Sequence, residues 1–302
     1  MTTCAANKPL VFGPDPTTFK VCSFLVNVLS NMYDQWVTSG KPLPELFKWQ
    51  PVYSCLVPSV FKVTDFSFFG QLIWSKYTWG VVPHHEPFGS LVKSDLDNKV
   101  YLVFRGSKSI ADILVDTEAG FESYTPPTPN PPSGINVEQG WKKVYDGLLP
   151  TLRAQLQQIA TGQVLTITGH SLGSTLATLA VPEAVNQKFQ VWNYNSASPM
   201  VGDDAFRSYY ESLELVGRNP GVLKGTFRLV NDADTVPDFP SPAKHPGYVH
   251  VGTEVSFNAE YGEMGKPDPE KNHSVCCTYA YALHHPDQPC NPKFDDCNIP
   301  IN

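Results

Sequence analysis

The chain has 302 residues, of which 17% are charged and 12% are aromatic, and 22 basic against 29 acidic residues give it a net charge of −7. This composition excludes a disordered chain and a coiled coil, because both classes carry more charge and fewer aromatic side chains. The negative charge argues against a nucleic-acid-binding protein, which normally presents a basic surface to the phosphates. No apolar run is long enough to cross a bilayer, so we expect no transmembrane segment.

The first 20 residues contain no continuous apolar segment, which predicts a soluble chain without a signal peptide. The cellular location stays open: the protein is cytoplasmic if Met1 is the native start and secreted if a leader has been removed. Seven cysteines are an odd number, so at least one is expected to be unpaired. A disulfide between Cys290 and Cys297 is one interpretation of the tail, and the remaining cysteines are interpreted as buried apolar side chains. No metal site is expected, because the cysteine spacing matches no zinc motif.

The first element in the chain is a helix over residues 16–39, which begins at Pro16 and ends before a Gly-Lys-Pro turn. Residues 42–87 are aromatic and interrupted by prolines, with little periodicity, and we interpret them as irregular cover over a core. They include His84-His85-Glu86, which we interpret as a loop rather than a metal cluster. Residues 88–93 and 99–104 are predicted to form a hairpin.

The rest of the chain alternates strand and helix patterns. An amphipathic helix is predicted over residues 141–159 and a short apolar strand over residues 164–168, followed by a second helix. Further strands and helices are predicted at residues 190–194, 205–213, 226–230 and 248–257. This alternation predicts an α/β fold with a mostly parallel central sheet flanked by helices. We expect residues 1–302 to form a single domain, with 1–87 as an N-terminal helix and irregular cover.

The predicted strand over residues 164–168 is followed by Gly169-His170-Ser171-Leu172-Gly173, a G-x-S-x-G pattern. Glycine at both flanks lets a strand and a helix approach closely, and the sharp turn between them exposes the serine hydroxyl above a helix N-terminus. We therefore predict Ser171 as a nucleophile, with the backbone N–H of Leu172 as one donor of an oxyanion hole.

From about residue 88 to residue 285 the sequence resembles the class 3 lipases, the fungal-lipase-like branch of the α/β-hydrolases. Six motifs in the family's order carry the resemblance: Tyr101–Ser107, Val137–Trp141, Gly169–Gly173, Ser198–Asp203, Asn231–Pro237 and Tyr248–Gly252. The chain departs from the family at Ser174, where a second glycine is usual. The resemblance implies an α/β-hydrolase fold and a Ser-His-Asp triad that needs no metal or cofactor.

The resemblance also implies a second oxyanion donor and a lid. Ser107, at the end of the Phe104-Arg-Gly-Ser strand, is the expected donor. The lid is expected over residues 108–118, where Ile110, Ile113 and Leu114 form an apolar stripe on a short helix.

Asp234 matches the catalytic aspartate of the family, because the sequence Thr-Val-Pro follows it. Asp232 and Asp238 are its nearby rivals. A histidine must follow as general base, and we favour His273, which comes after a polar loop and opens a helical stretch, as the family's histidine does.

The sequence leaves other histidines open as the general base. The family pattern has an aromatic residue three positions after the histidine, where this chain has Cys276. The gap from the aspartate is also shorter than in the fungal enzymes, and His284 or His285 fits the longer gap. We interpret His245 as a turn residue and His250 as a strand residue.

These residues predict a serine carboxylic-ester hydrolase that acts through an acyl-enzyme, with a triacylglycerol lipase as the favoured activity. Its partner is then a lipid or other ester, met at a lipid–water interface if the lid is mobile. A phospholipase A1 and a feruloyl-type esterase are the alternatives within the class, and a non-catalytic lipid-binding protein is the alternative outside it. The sequence Asn272-His273-Ser274 is a glycosylation sequon, and a glycan there would crowd the base, which favours a non-secretory setting.

Overall fold

A computed structural model of the chain describes residues 3–13, 15–39, 52–55, 61–79, 81–107, 120–214, 221–263, 266–291 and 298–301. The strands are β1 (Thr3–Lys8), β2 (Val52–Cys55), β3 (Phe66–Trp79), β4 (Val82–Ser94), β5 (Val100–Phe104), β6 (Phe121–Ser123), β7 (Asn136–Glu138), β8 (Val164–His170), β9 (Gln190–Ser196), β10 (Val222–Asn231), β11 (Thr253–Glu263), β12 (Lys266–Pro267) and β13 (Asn298–Ile301). The helices are α1 (Pro16–Ser39), α2 (Gln139–Leu156), α3 (Leu172–Asn186), α4 (Asp204–Ser212), α5 (Pro269–Asn272) and α6 (Tyr281–His284), with a π-helix at Val275–Ala280.

Nine of these strands form one large sheet with the order β1-β11-β10-β9-β8-β5-β4-β3, in which β12 pairs with β11 off this path. The pairs β2–β13 and β6–β7 form two separate two-stranded sheets. The five central strands, from β11 to β5, are parallel. The edges are antiparallel, with β1 on β11 at one side and the β3–β4 hairpin at the other. The prediction of a mostly parallel central sheet flanked by helices is therefore confirmed.

Helices cover both faces of this sheet, and the alternation of side chains along β5 separates two apolar cores. Leu102 and Phe104 join the core that α2, α3 and α4 cover. Tyr101 and Val103 join the core under α1, the π-helix and α6. This pattern follows from the period of two along a strand, and it explains why the central strands read as continuous apolar runs.

Several predicted elements are confirmed. The first helix spans residues 16–39, and the predicted hairpin is the β4–β5 pair, in which Gly89 lies opposite Phe104. Helix α2 runs without interruption through Pro150. The last predicted strand is a strand only from Thr253 onward.

The prediction of irregular cover at residues 42–87 is wrong where the structure describes this segment from residue 61. Strands β3 and β4 form a long hairpin there, and it includes His84-His85-Glu86, which is therefore strand and not loop. The aromatic and β-branched residues of β3 favour a strand. Its alternation is obscured because the pairing register shifts after Phe69, next to Gly70, whose φ is +69°.

A disulfide joins β1 to the C-terminal region. Cys4 is bonded to Cys290, with a Cα–Cα distance of 5.7 Å, so the interpretation that Cys290 pairs with Cys297 is wrong. The sheet edge brings the two ends of the chain together, as the hydrogen bond from Leu10 N to Pro286 O (2.9 Å) also indicates. Cys276 and Cys277 are disulfide-bonded too, so the interpretation of the remaining cysteines as unbonded apolar side chains is wrong for Cys4, Cys276 and Cys277. Cys22 is free and buried, as that interpretation expects.

No helix within the described residues is both long enough and apolar enough to cross a bilayer.

A buried carboxyl group caps the start of α2. Glu138 is 0% exposed, and its Oε2 accepts a hydrogen bond from Trp141 N at 2.6 Å. Its Oε1 has no hydrogen-bond partner among the described residues. Burial raises the pKa of this carboxyl to about 7, although the Trp141 and Gly140 N–H groups oppose the shift.

We expect this group to make folding stability depend on pH. Between the ordinary value of 4.5 and about 7, folded Glu138 keeps a proton that the unfolded chain has released, so the free energy of unfolding falls as the pH rises. The full loss is about 3 kcal/mol. Glu138→Gln keeps an acceptor for Trp141 and has no proton to release, so its stability relative to the native protein should rise over this range.

Denaturant unfolding of both proteins between about pH 5 and pH 8 measures this effect. The control is Glu260→Gln, which changes an exposed carboxylate on β11. A stability difference between native and Glu138→Gln protein that stays constant with pH would contradict the prediction.

Candidate active site

Ser171 lies on a sharp turn between β8 and α3. Its φ of 57° and ψ of −129° are strained for a residue with a side chain. A Cβ on Gly169 would lie 2.1 Å from Gly173 O, and one on Gly173 would lie 2.5 Å from Arg105 O. Only glycine fits at these two positions, so the G-x-S-x-G pattern is what allows strand and helix to meet at this distance.

The end of β5 lies directly beside Ser171. A Cβ built on Gly106 would be 3.3 Å from the Ser171 Cβ and 3.0 Å from His170 O. Ser107, the next residue, therefore starts from a backbone position next to the serine. Leu172 is the first residue of α3, where backbone N–H groups have no partner within the helix. The two predicted oxyanion donors thus come from segments that meet at Ser171.

Asp234 and His273 form a direct, buried pair. His273 Nδ1 lies 2.7 Å from Asp234 Oδ2, and the exposed fractions of the two side chains are 9% and 1%. Two further donors hold the carboxylate: Tyr279 OH bonds to Oδ2 at 2.8 Å and Val236 N to Oδ1 at 3.0 Å. With three donors on its oxygens, the carboxylate fixes the orientation of the imidazole.

Asparagine side chains tie the aspartate and histidine loops to each other. Asn231 Nδ2 donates to Asn272 O and to Ala259 O, both at 3.0 Å. Asn272 Nδ2 donates to Ala233 O at 3.2 Å, and its Oδ1 accepts from Tyr261 N at 2.7 Å. Asn272 is fully buried, so the residue immediately before His273 is locked by its own side chain.

His170, directly before Ser171, contacts the second histidine. Its Nε2 is 2.9 Å from His273 O and its Nδ1 is 2.9 Å from Ser196 Oγ. A carbonyl oxygen only accepts, so Nε2 carries the proton and Nδ1 accepts from the serine hydroxyl. Burial, together with the neighbouring His273, holds the pKa of His170 well below its ordinary value, which keeps the ring neutral.

Two complementary polar atoms at this site are buried. Ser171 Oγ and His273 Nε2 each have no hydrogen-bond partner within the described parts of the chain. In the tautomer whose Nδ1 donates to Asp234, the Nε2 of His273 carries the lone pair. The ring centroids of His170 and His273 are 4.6 Å apart, so the His273 ring packs against the residue that directly precedes Ser171.

The rival residues have other partners. Asp232 forms a salt bridge with Lys8 at 3.0 Å. Burial, with Arg228 nearby, lowers the pKa of His250 to about 3, and burial beside Lys20 lowers that of His284 to about 4. The His285 ring is stacked on Tyr281 at 4.2 Å.

The burial of Asp238 raises the pKa of that carboxyl, with Asp234 and Glu254 adding to the effect. His245, the remaining rival, follows the cis Phe239–Pro240 bond, and its backbone N–H donates to Ser241 O at 2.8 Å.

Tyr279 is a site residue that the sequence reasoning missed. The family pattern leads to position 276, which is a cysteine, whereas the tyrosine that reaches Asp234 stands six residues after His273. It lies on the π-helix, whose turns are wider than those of an α-helix and therefore shift the spacing. No sequence signal marks such a widened turn.

The predicted lid at residues 108–118, with Ile110, Ile113 and Leu114, lies outside the described residues. Within the parts that are described, no group of three His, Cys, Asp or Glu side chains is arranged to hold a metal ion.

Curated relatives with similar sequences are lipases. The chain is 29% identical to a lipase of Rhizomucor miehei over 186 residues, which is 59% of this chain and 46% of that protein. It is 30% identical to the secreted mono- and diacylglycerol lipase A of Penicillium cyclopium over 171 residues, 55% of this chain and 50% of that protein. The chain thus spans about half the length of the curated relatives it matches.

A family model described as lipase (class 3) matches residues 101–244, which contain Ser107, Ser171 and Asp234. Over this segment, slightly less than half of the chain, the sequence is similar to the class 3 lipase family. The match ends before His273, so the assignment of this histidine depends on the geometry described above.

A solved structure agrees on the fold. The Rhizomucor miehei lipase propeptide complex superposes with a TM-score of 0.57 at 23% identity, covering 84% of this chain and 70% of that one. The chain accordingly has the α/β-hydrolase fold that the resemblance implied.

Proposed function

We propose that this protein is a class 3 lipase that hydrolyses carboxylic esters, with triacylglycerols as the favoured substrate class and Ser171, His273 and Asp234 as its triad. One observation carries the proposal: a buried Asp234–His273 pair at 2.7 Å lies against the residue that precedes a strained serine turn. The curated relatives are named lipases, one of them a mono- and diacylglycerol lipase, which supports an acylglycerol as the substrate.

In the proposed reaction, His273 Nε2 takes the proton of Ser171 Oγ as that oxygen bonds to the ester carbonyl carbon. The carbonyl oxygen becomes an oxyanion, which accepts hydrogen bonds from the N–H groups of Leu172 and Ser107. The tetrahedral intermediate then expels the alcohol, which leaves with the proton from His273. Asp234 stabilises the imidazolium while it exists.

Water completes the cycle in a second, equivalent step. It gives a proton to His273 as its oxygen attacks the acyl-enzyme, and the collapse of that intermediate releases the carboxylic acid and returns the proton to Ser171. The balance of atoms needs only ester and water, so the proposal includes no metal or cofactor.

We also propose that the substrate is met at a lipid–water interface. The apolar residues Ile110, Ile113 and Leu114 support this part, because uncovering such side chains costs about 1.5–3 kcal/mol each in water and less against lipid. A rate that rises as a soluble short-chain ester exceeds its solubility limit is the expected behaviour. A rate that saturates smoothly through that limit would contradict it.

Kinetics of three variants test the triad. We expect Ser171→Ala and His273→Ala to lower kcat for a nitrophenyl ester by at least about 10³-fold, because each removes a member of one proton-transfer unit. His285→Ala is the matched control and should keep native activity. A fully active His273→Ala variant would contradict the assignment of His273 as the general base.

The preferred lipid class is a separate question. Comparing the rates of hydrolysis of triglyceride and phosphatidylcholine by the native protein would identify it.

We infer that the protein works in an oxidising compartment. The Cys4–Cys290 bridge supports this, because disulfides persist outside the cytosol. The sequon at Asn272 carries no opposite argument, since that side chain is fully buried and hydrogen-bonded and offers no glycan site in the folded protein. Mass spectrometry of unreduced protein from its source cells should find a Cys4–Cys290 cross-linked peptide, and free thiols at both positions would contradict the inference.

A further inference from the structure

Arg105 is a buried arginine that directly precedes the Gly106–Ser107 peptide. Its side chain is 4% exposed. Nε donates to Pro87 O at 2.7 Å, Nη1 donates to Gly106 O at 2.8 Å, and Nη2 forms a short hydrogen bond with Glu86 Oε2. One side chain thus links the end of β5 to β4 and also bonds the carbonyl of the peptide that ends in Ser107.

Three elements hold Arg105 and its carboxylate partner. Tyr33, from α1, donates to Glu86 Oε2 at 2.8 Å, and Tyr77, from β3, donates to Glu86 Oε1 at 2.7 Å. The guanidinium also lies 3.5 Å from the centroid of the Tyr33 ring and 4.5 Å from that of Phe88. We call these five residues the arginine cage.

The cage keeps both charges in place although both groups are largely buried. Burial alone would raise the pKa of Glu86, but Arg105 and the two tyrosine hydroxyls outweigh that effect and lower it. Glu86 is therefore a carboxylate at neutral pH and compensates the buried guanidinium. Without it, Arg105 would be an uncompensated buried charge.

A hydrogen bond to a carbonyl acts on the N–H at the other end of the same peptide. In a trans peptide the C=O and N–H bonds point in opposite directions, so the bond from Arg105 to Gly106 O fixes the direction of the Ser107 N–H. Hydrogen bonds in series also polarise one another, and a cationic donor does so more strongly than a neutral one. The Gly106 backbone adjoins the nucleophile, since a Cβ at Gly106 would lie only 3.3 Å from the Ser171 Cβ.

We propose that the Arg105–Glu86 pair is a positioning element that orients and polarises the Gly106–Ser107 peptide as an oxyanion donor. Arg105 and Glu86 do not contact the substrate in this account; they act through the peptide. The inference rests on the proposed function, because it needs an oxyanion to form at Ser171.

The inference gives the N-terminal segment a part in catalysis. Tyr33, Tyr77 and Glu86 all lie before the region matched by the family model. Tyr33 and Glu86 contact the Arg105 guanidinium, and Tyr77 bonds to Glu86. A carbonyl at a solvent-exposed strand end needs no arginine to hold it, because water accepts the role of hydrogen-bond donor there.

Glu86→Gln and Arg105→Lys test the positioning role. The first removes the negative charge that anchors Arg105, and the second keeps the positive charge but loses the fork that bonds Gly106 O and Glu86 together. We expect kcat to fall about 10–100-fold in both, part of the loss for a whole oxyanion donor, with KM changed less than about 3-fold. Tyr77→Phe, which removes one donor to Glu86 Oε1, should lose less.

The matched control is Glu183→Gln. Glu183 is also a buried carboxylate paired with an arginine, through Arg153 Nε at 3.0 Å and Nη2 at 2.9 Å. It lies 12 residues after Ser171 along α3, which is about 18 Å at the rise of an α-helix. This variant should lose stability without losing kcat.

The decisive readout is the inhibition constant of an alkyl trifluoromethyl ketone, which forms a tetrahedral oxyanion on the serine. We expect this constant to rise in the cage variants by the same factor by which kcat/KM falls, and to be unchanged in Glu183→Gln. A purely structural role would lower the thermal midpoint without this correlation.

The outcomes separate this inference from the proposed function. If the native protein hydrolyses esters and Glu86→Gln and Tyr77→Phe keep both kcat and the inhibition constant within about 2-fold, the positioning role is wrong and the proposed function stands. An equal loss of kcat in Glu183→Gln would also overturn the positioning role. If the native protein neither turns over esters nor binds the ketone, the proposed function itself fails.

Discussion

The close approach of three backbone segments around Ser171 is the constraint on which the rest of the site depends. The end of β8, the start of α3 and the end of β5 meet where a side chain on Gly169 or Gly173 would overlap backbone atoms at 2.1–2.5 Å. This contact forces the positive φ of Ser171 and sets the serine beside Gly106. Strain of this kind persists only where the surrounding structure determines it fully.

The surrounding structure supplies that support from both faces of the sheet. On one face α2 and α3 pack against β5 and β8. On the other face lie α1 and the C-terminal helices, which also carry Tyr279 and adjoin the aspartate and histidine loops. The N-terminal residues contribute to the same sheet and core: β1 pairs with β11, α1 covers a core, and β3 and β4 extend the sheet. The disulfide between Cys4 and Cys290 joins the two ends of this arrangement.

Much of the fold could be predicted because apolar residues in the strands and helices of the central region recur at the spacing typical of each element. The β4–β5 hairpin, α1 and the alternation after residue 164 all follow from apolar spacing and turn residues. The β3–β4 hairpin could not be predicted, since a bulge near Gly70 breaks its alternation and prolines lie among its residues. Tyr279 was missed for a related reason, because a π-helix changes the spacing on which a motif depends. The contacts of Glu86 with Arg105 and of Cys290 with Cys4 were not predicted, because these residues are far apart in the sequence and no local pattern relates them.

The central claim is that Ser171 is a nucleophile activated by the Asp234–His273 pair. Peptide mass spectrometry after treatment with an alkyl fluorophosphonate tests it most directly, because the probe reacts with an activated serine and leaves a covalent mark. The account predicts one adduct per chain, on the peptide that contains Ser171, and no adduct in the Ser171→Ala protein. An unlabelled native protein, or an adduct on another serine that survives Ser171→Ala, would contradict it.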